Sequence, residues 1–229
     1  MCHTRLSAGQ GALVAGEGFY RLELALRRAL PESAKKLWRL GRLAVQPVPP
    51  SAPQIPQAQL EGCQLLADRI EMLRRLPQGG IVAEIGTYQG DFARAILDIM
   101  EPEKLLLADV TFSLCRSDVL ADPRVERHEG LSVPFLQSCA DASFDMIYVD
   151  ADHGYEAVRA DIVAAAPKVK PGGFLIFNDF ARIIRPGFRV LGVHQAVCEF
   201  AVASGWKVAY FCLQGEALYD IALRRPTIR

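Results

Sequence analysis

The residues of this 229-residue chain best suited to chemistry are a few acids, amides and glycines placed where apolar runs end. The first group is Val82-Ala-Glu-Ile-Gly-Thr-Tyr-Gln-Gly90, where a short apolar run closes on Glu84, Gly86 and Gly90 and a helical pattern follows at once. The spacing reads as a buried strand turning into a helix over a ligand. Glycine at 86 and 90 lets the backbone turn sharply and lets a small molecule come close where a Cβ would obstruct it. Glu84 offers a carboxylate that accepts from a ligand amine or hydroxyl. A dinucleotide fingerprint needs glycine where Glu84 stands, and a P-loop needs Lys and Ser/Thr where Asp91 follows Gly90, so neither phosphate cradle is present. Asp109 closes the next apolar run, about twenty residues on, the distance at which a strand-helix-strand unit sets an acid beside a ribose. Asp150 ends the run from Phe144, and Asn178-Asp179 ends the run from Phe174. In an open α/β sheet the ligand lies outside the carboxyl ends of the strands, at the switch point of strand order. Four such ends carry polar groups here. Asp152 has a plainer reading, as a cap for the helix that starts near Gly154.

The pattern Glu84-x-Gly86-x-x-x-Gly90 resembles the first motif of class I S-adenosylmethionine-dependent methyltransferases, whose ligand carries an amino acid and no phosphate. Val149-Asp-Ala-Asp-His-Gly-Tyr-Glu156, then Asp161, Val169-Lys-Pro-Gly-Gly-Phe174 and Phe177-Asn-Asp179 are similar to the small-molecule O-methyltransferase branch of that superfamily. That branch includes macrolide-sugar and, more distantly, catechol O-methyltransferases, and the likeness spans roughly residues 78 to 223. The resemblance implies that Glu84, with Gly86, Thr87, Tyr88 and Gly90, holds the amino-acid end of S-adenosylmethionine, and that Asp109 holds its ribose. It places the adenine over the Glu129-Gly-Leu-Ser132 junction, with Ser132 in contact, and sets Asp150 beside the cofactor.

Carried over by position, the family's divalent-metal ligands are Asp150, Asn178 and Asp179, an all-oxygen set suited to Mg²⁺. The same likeness makes His153 the general base and Asp150 a catalytic residue. Where catechol-type enzymes often have an acid, Asn178 brings an amide, which lowers the charge of the site. In a metal-free site Asp150 and Asp179 contact substrate instead; independently of the metal, the plainer reading of His153, two residues before Tyr155, is a helix-start residue. No Asp-Pro-Pro-Tyr or Asn-Pro-Pro-Tyr follows the fourth strand, so the acceptor expected is a hydroxyl of a small molecule, a sugar or secondary metabolite, and not an amine of a base. Two alternatives stand beside this. One is a non-catalytic S-adenosylmethionine-binding module that recruits a partner through basic N-terminal helices. The other is a hydroxylase or hydrolase in the same metal pocket, against which stands the lack of a two-His-one-carboxylate set among only four histidines.

These residues need an α/β scaffold to meet. The pattern predicts a Rossmann-like, doubly wound, mostly parallel seven-stranded sheet with an antiparallel final strand, plus an N-terminal helical extension. Leu22, Leu26 and Leu30 share a helical face, with Arg21, Arg27 and Arg28 off it, and a second segment carries Leu37, Trp38 and Leu40. Residues 1–45 therefore read as a helical appendage whose basic face is solvated while its apolar face packs on the core or on a second copy in a homo-oligomer, with a membrane surface or an anionic partner as the alternative for the basic face. Five prolines between 47 and 56 make a stiff connector over 46–57, and 58–229 is the main domain. Leu60, Cys63, Leu66, Ile70, Leu73 and Leu76 predict one helix from Ala58 to Leu76. Strands are expected at 81–85, 104–109, 125–128, 144–150, 174–179, 206–212 and 217–223, helices at 90–100, 132–139, 155–166 and 190–204, and a lid loop at 183–189.

Composition bounds the reading. Twenty-six basic and twenty-six acidic residues cancel, so no net field draws a nucleic-acid backbone, and nucleic acid is not an expected partner. Six cysteines without a C-x-x-C pair argue against a zinc site or a disulfide framework and suit core positions in a reducing cytosol. No apolar run has the length of a membrane span and no signal-peptide pattern opens the chain, so a cytoplasmic location is expected and stable membrane insertion is not.

Overall fold

The computed structural model describes Pro31 and residues 33–35, 51–184, 189–215 and 218–227. The expected helices around Leu22–Leu30 and Leu37–Leu40 lie outside these residues, as do Pro186 and Gly187 of the expected lid.

The described fold belongs to the unit formed by residues 48–184 and 190–229. Its elements are α1 (Gln57–Leu60), β1 (Gln64–Leu66), α2 (Arg69–Arg75), β2 (Ile81–Ile85), α3 (Asp91–Ile99), β3 (Lys104–Asp109), α4 (Ser117–Leu120), β4 (Val125–Glu129), α5 (Ser132–Ser138), β5 (Phe144–Val149) and α6 (Tyr155–Ala165). A turn of 3₁₀ helix (Ala166–Lys168) leads to β6 (Val169–Phe177), followed by α7 (Val193–Ser204), β9 (Lys207–Cys212) and β10 (Asp220–Arg224). The expected lid holds two short strands, β7 (Ile183–Ile184) and β8 (Arg189–Val190), which form a sheet of their own.

The main sheet runs β1-β9-β10-β6-β5-β2-β3-β4. Only β10 is antiparallel to its neighbours, pairing with β6 and β9, and the other pairs are parallel. The parallel strands read as near-continuous apolar runs because both faces are covered. One face packs Met72 and Leu73 of α2 and Ile96 and Leu97 of α3 on Leu105, Leu107, Met146 and Ile176. The other packs α5, α6 and α7, through Leu136, Val158, Ile162 and Val197, on Ile85, Ile147, Leu175 and Phe177. Cys198 and Cys212 sit in these cores, where burial pushes their thiols up to about 11 and about 12. Among the described residues no helix is long and apolar enough to cross a membrane.

The structure corrects the expected helix over Ala58–Leu76 and the strand count. That stretch is the short helix α1, the strand β1 and the helix α2, and β1 adds an eighth strand beside β9. Gly62 breaks the run at φ +84°, a conformation a helix does not use. Asp68 then starts α2 by accepting the Glu71 N–H at 2.8 Å, an N-cap in the usual sense. Apolar positions three and four apart imitate a helical stripe here, yet Leu65 is 65% exposed and Leu66 5%, the alternation of a strand.

Candidate active site

The central parallel strands end on one edge, and their register decides which side chains share a face there. Glu84 lies opposite Leu107 of β3 and Tyr148 of β5, Tyr148 lies opposite Ile176 of β6, and Ile176 lies opposite Ala222 of β10. Side chains alternate faces along a strand. Asp109, Asp150 and Asn178, each two residues beyond one of these, and Asp220, two before Ala222, therefore come to the α2/α3 face with Glu84. Backbone bonds from Asp150 N–H to the Ile85 carbonyl and from Asn178 N–H to the Val149 carbonyl extend the ladder to the rim.

Gly86 forms the floor of the turn. At φ +90°, its missing Cβ would stand 2.1 Å from the Asp150 carbonyl oxygen, so β2 and β5 approach here as only glycine permits. Gly90, at φ +81°, is the N-cap of α3. Asp109 braces the loop between them: one carboxylate oxygen accepts from the N–H groups of Thr87 (2.9 Å) and Tyr88 (2.8 Å), and the other from Thr111 N–H (3.1 Å). The sequence suggested a ribose contact for Asp109 and did not reveal this bracing role. Tyr88 has φ +51° and its side chain is exposed, whereas Thr87 is buried. Glu84 is buried, and its Oε2 has no hydrogen-bond partner. Burial first, and then the neighbouring Asp150, push its carboxyl well above the ordinary range, opposed by the Thr87 hydroxyl and, less, by Arg69.

Behind Glu84 lies a polar cluster that sequence reasoning missed. The Tyr148 hydroxyl donates to Asp220 Oδ2 at 2.9 Å and accepts from Arg69 Nη1 at 3.2 Å and from Asn178 Nδ2 at 3.1 Å. Asn178 Nδ2 also donates to Asp220 Oδ1 at 2.9 Å, and Gln214 Nε2 reaches the same oxygen at 3.2 Å. Both amide protons of Asn178 thus face inward, which leaves its carbonyl as the group for a ligand. An acid and a tyrosine inside apolar strands were the signal for Asp220 and Tyr148; Arg69 had none.

Asp220 is fully buried, and desolvation raises its carboxyl to about 6 despite bonds from Gln214 and Tyr148. An acid with a raised folded pKa stabilises the fold most below its unfolded pKa, near 3.8, and that contribution is lost as pH climbs through about 6. At ~1.4 kcal/mol per unit the loss is on the order of 3 kcal/mol. In denaturant titrations Asp220→Asn should therefore show a fall in unfolding free energy between pH 4 and 7 that is smaller than the wild type's by about 2–3 kcal/mol.

His153 comes to the rim from the loop after β5. Its Nε2 lies 3.4 Å from Asp150 Oδ1 and 3.2 Å from Asp179 Oδ2, so the two carboxylates converge on one point and a protonated ring would bridge them. Asp179 holds its place with φ +54°. The donors Asp150, Asp179 and Asn178 are all oxygen, the type a hard cation prefers. As placed, the imidazole closes the gap between the carboxylates, and among the described residues no group of three or more His, Cys, Asp or Glu is spaced to hold a metal. Ser132 is not brought to this cluster; its hydroxyl donates to Asp161 Oδ1 on α6 at 2.5 Å. Burial raises Asp161 to about 6 against that bond. Asp152 Oδ1 accepts the Gly154 N–H at 2.6 Å, in the turn that opens α6.

The order of the mostly parallel sheet, with helices on both faces, makes this a Rossmann-like fold of the kind seen in methyltransferases. Residues 83–180 match a family described as a methyltransferase domain. No curated protein sequence matches the chain at a significant level. The N-methyltransferase NodS from Bradyrhizobium japonicum WM9 superposes with a TM-score of 0.53 at 20% identity, over 69% of this chain and 94% of NodS. A SAM-dependent methyltransferase from Aquifex aeolicus gives a TM-score of 0.53 at 17% identity, over 69% and 90%. An O-methyltransferase family protein from Burkholderia thailandensis gives 0.53 at 14%, over 70% of this chain and 56% of that one. At these identities the likeness is one of fold.

Proposed function

We propose that the chain is an S-adenosylmethionine-dependent methyltransferase that acts on a hydroxyl of a small molecule, a sugar or secondary metabolite, with help from a divalent cation such as Mg²⁺. The observation that carries this is the meeting of Glu84, Asp109 and Asp150 around a turn where a Cβ at Gly86 would strike the backbone of Asp150. The unpartnered Glu84 Oε2 is the natural acceptor for the cofactor's ammonium, and Gly86 and Gly90, at φ +90° and +81°, shape the turn that would lie beside it. Asp109 steadies that turn and borders the ribose.

Beyond the cofactor, Asp150, Asp179 and the Asn178 carbonyl would hold the cation, which supplies polarisation of the acceptor hydroxyl. His153, whose Nε2 stands 3.4 Å from Asp150 and 3.2 Å from Asp179, would take the hydroxyl proton as general base. Bound S-adenosylmethionine would supply the sulfonium methyl: an O–C bond would form as the S–C bond breaks and S-adenosylhomocysteine leaves, a transfer favoured where the reacting atoms are held collinear and water is excluded.

The test is calorimetry with S-adenosylmethionine, with and without Mg²⁺, alongside a screen of hydroxylated acceptors read out as S-adenosylhomocysteine. Asp179→Ala should keep cofactor binding and lose metal-dependent turnover. Full activity in excess chelator would remove the cation from the mechanism. Cofactor binding with no turnover on any acceptor would favour a non-catalytic module, and no binding at all would end the reading.

A further inference from the structure

We infer that Arg69, at the start of α2, receives the carboxylate of the ligand's amino-acid end, so that Glu84 and Arg69 form a paired site for a zwitterion. The inference rests on the proposed function and assigns a residue to a part of the ligand that no motif in the sequence accounts for. Glu84 and Tyr148 are partners across β2 and β5, so the group that bonds the Tyr148 hydroxyl is on Glu84's own face of the sheet. That group is Arg69, whose Nη1 reaches the hydroxyl at 3.2 Å and stands 3.9 Å from Asp150 Oδ2.

The guanidinium is preorganised. Its Cζ lies 4.6 Å from the centroid of the Phe92 ring, a cation–π contact that orients the planar fork, and Phe92 in turn packs on Tyr148 at 4.3 Å. Among the described residues no hydrogen bond beyond the one to Tyr148 engages the fork, which leaves donors for a planar anion, and the side chain keeps 33% of its surface exposed. Arg69 is also the cation whose field reaches the buried Glu84 carboxylate.

Charge explains why the pair is needed. An ammonium that enters to satisfy Glu84 Oε2 brings its own carboxylate with it, into a rim already carrying Glu84, Asp109 and Asp150. Without a cation beside it that carboxylate would face three acids. With Arg69 the signs alternate: acid to ammonium, carboxylate to guanidinium. Arg69 thus selects an amino acid over a simple amine, a distinction Glu84 alone does not make.

The experiment compares S-adenosylmethionine with decarboxylated S-adenosylmethionine, which keeps the ammonium and sulfonium and lacks only the carboxylate. Calorimetry on the full chain should show wild type binding the first about 10- to 100-fold more tightly, as expected for a charge-assisted bidentate contact. Arg69→Gln should lose most of that ratio by weakening S-adenosylmethionine alone. Arg69→Lys should keep part of it, since the charge remains without the fork, and it carries the test if thermal unfolding shows Arg69→Gln to be poorly folded. A wild-type ratio near one, or equal weakening of both ligands in the variants, overturns the inference and leaves Arg69 as a brace for Tyr148 and Asp150. Failure of the wild type to bind either ligand would instead overturn the proposed function itself.

Discussion

Glu84→Gln is expected to weaken S-adenosylmethionine binding by about 100-fold, the effect of removing one partner from a desolvated charge pair at ~2–5 kcal/mol. The folded protein should not suffer. Glu84 is buried beside Asp150, with Oε2 unpartnered, so its ionisation costs the ligand-free fold stability and its neutral amide replacement relieves that cost. Loss of affinity without loss of stability separates a binding role from a structural one. The pH dependence adds a second check. Because the ligand-free carboxyl titrates well above its ordinary value, wild-type affinity should rise as pH climbs through that folded pKa, until the ligand's own α-amino group deprotonates near ~8. Glu84→Gln should lack that rise. If calorimetry gave the variant wild-type affinity, the ammonium would need another partner and the site would have to be redrawn.

Gly86→Ala is the second large expected effect, and here stability and binding fail together. The added Cβ meets the peptide group joining Asp150 to Ala151, with the carbonyl oxygen and carbon at 2.1 and 2.5 Å and the Ala151 nitrogen at 2.8 Å, and backbone cannot swing aside as a side chain can. Overpacking at ~1–3 kcal/mol adds to the ~1–2 kcal/mol of a left-handed φ in a residue with a Cβ. A destabilisation of ~3 kcal/mol lowers the melting temperature of a chain this long by roughly 10 °C. Two other glycines calibrate the result. Gly90→Ala, at φ +81°, meets the Cys115 Sγ at 2.7 Å, a side-chain atom able to yield, and should cost less. Gly62→Ala, at φ +84° with nothing within 4 Å, should show the backbone cost alone, ~1 kcal/mol. Thermal unfolding of the three should therefore rank 86 above 90 above 62, and equal losses would refute the close approach of β2 and β5.

The elements that carry the rim were legible because their causes are local. Ile81–Ile85 and Phe144–Val149 are apolar runs of strand length, and Gly86 and Gly90 mark turns that a Cβ would forbid, so β2, α3, β5 and the acids at their ends follow from neighbouring residues. Local pattern also misled. Between Leu60 and Leu76 the apolar spacing fits a helix, and only the pairing of Gln64–Leu66 with Tyr210–Cys212, far along the chain, turns it into a strand.

The chain order of residues alone determined where the central strands end and which acids and glycines stand at those ends, since strand period and glycine sterics act over a few residues. Strand order and register decided the rest. They brought Tyr148 to Asp220 across 72 residues, and Arg69 to Tyr148 across 79, and they turned both amide protons of Asn178 inward. Each of these is a contact between distant segments, whose geometry depends on how the sheet is assembled and is therefore written in no local stretch of sequence.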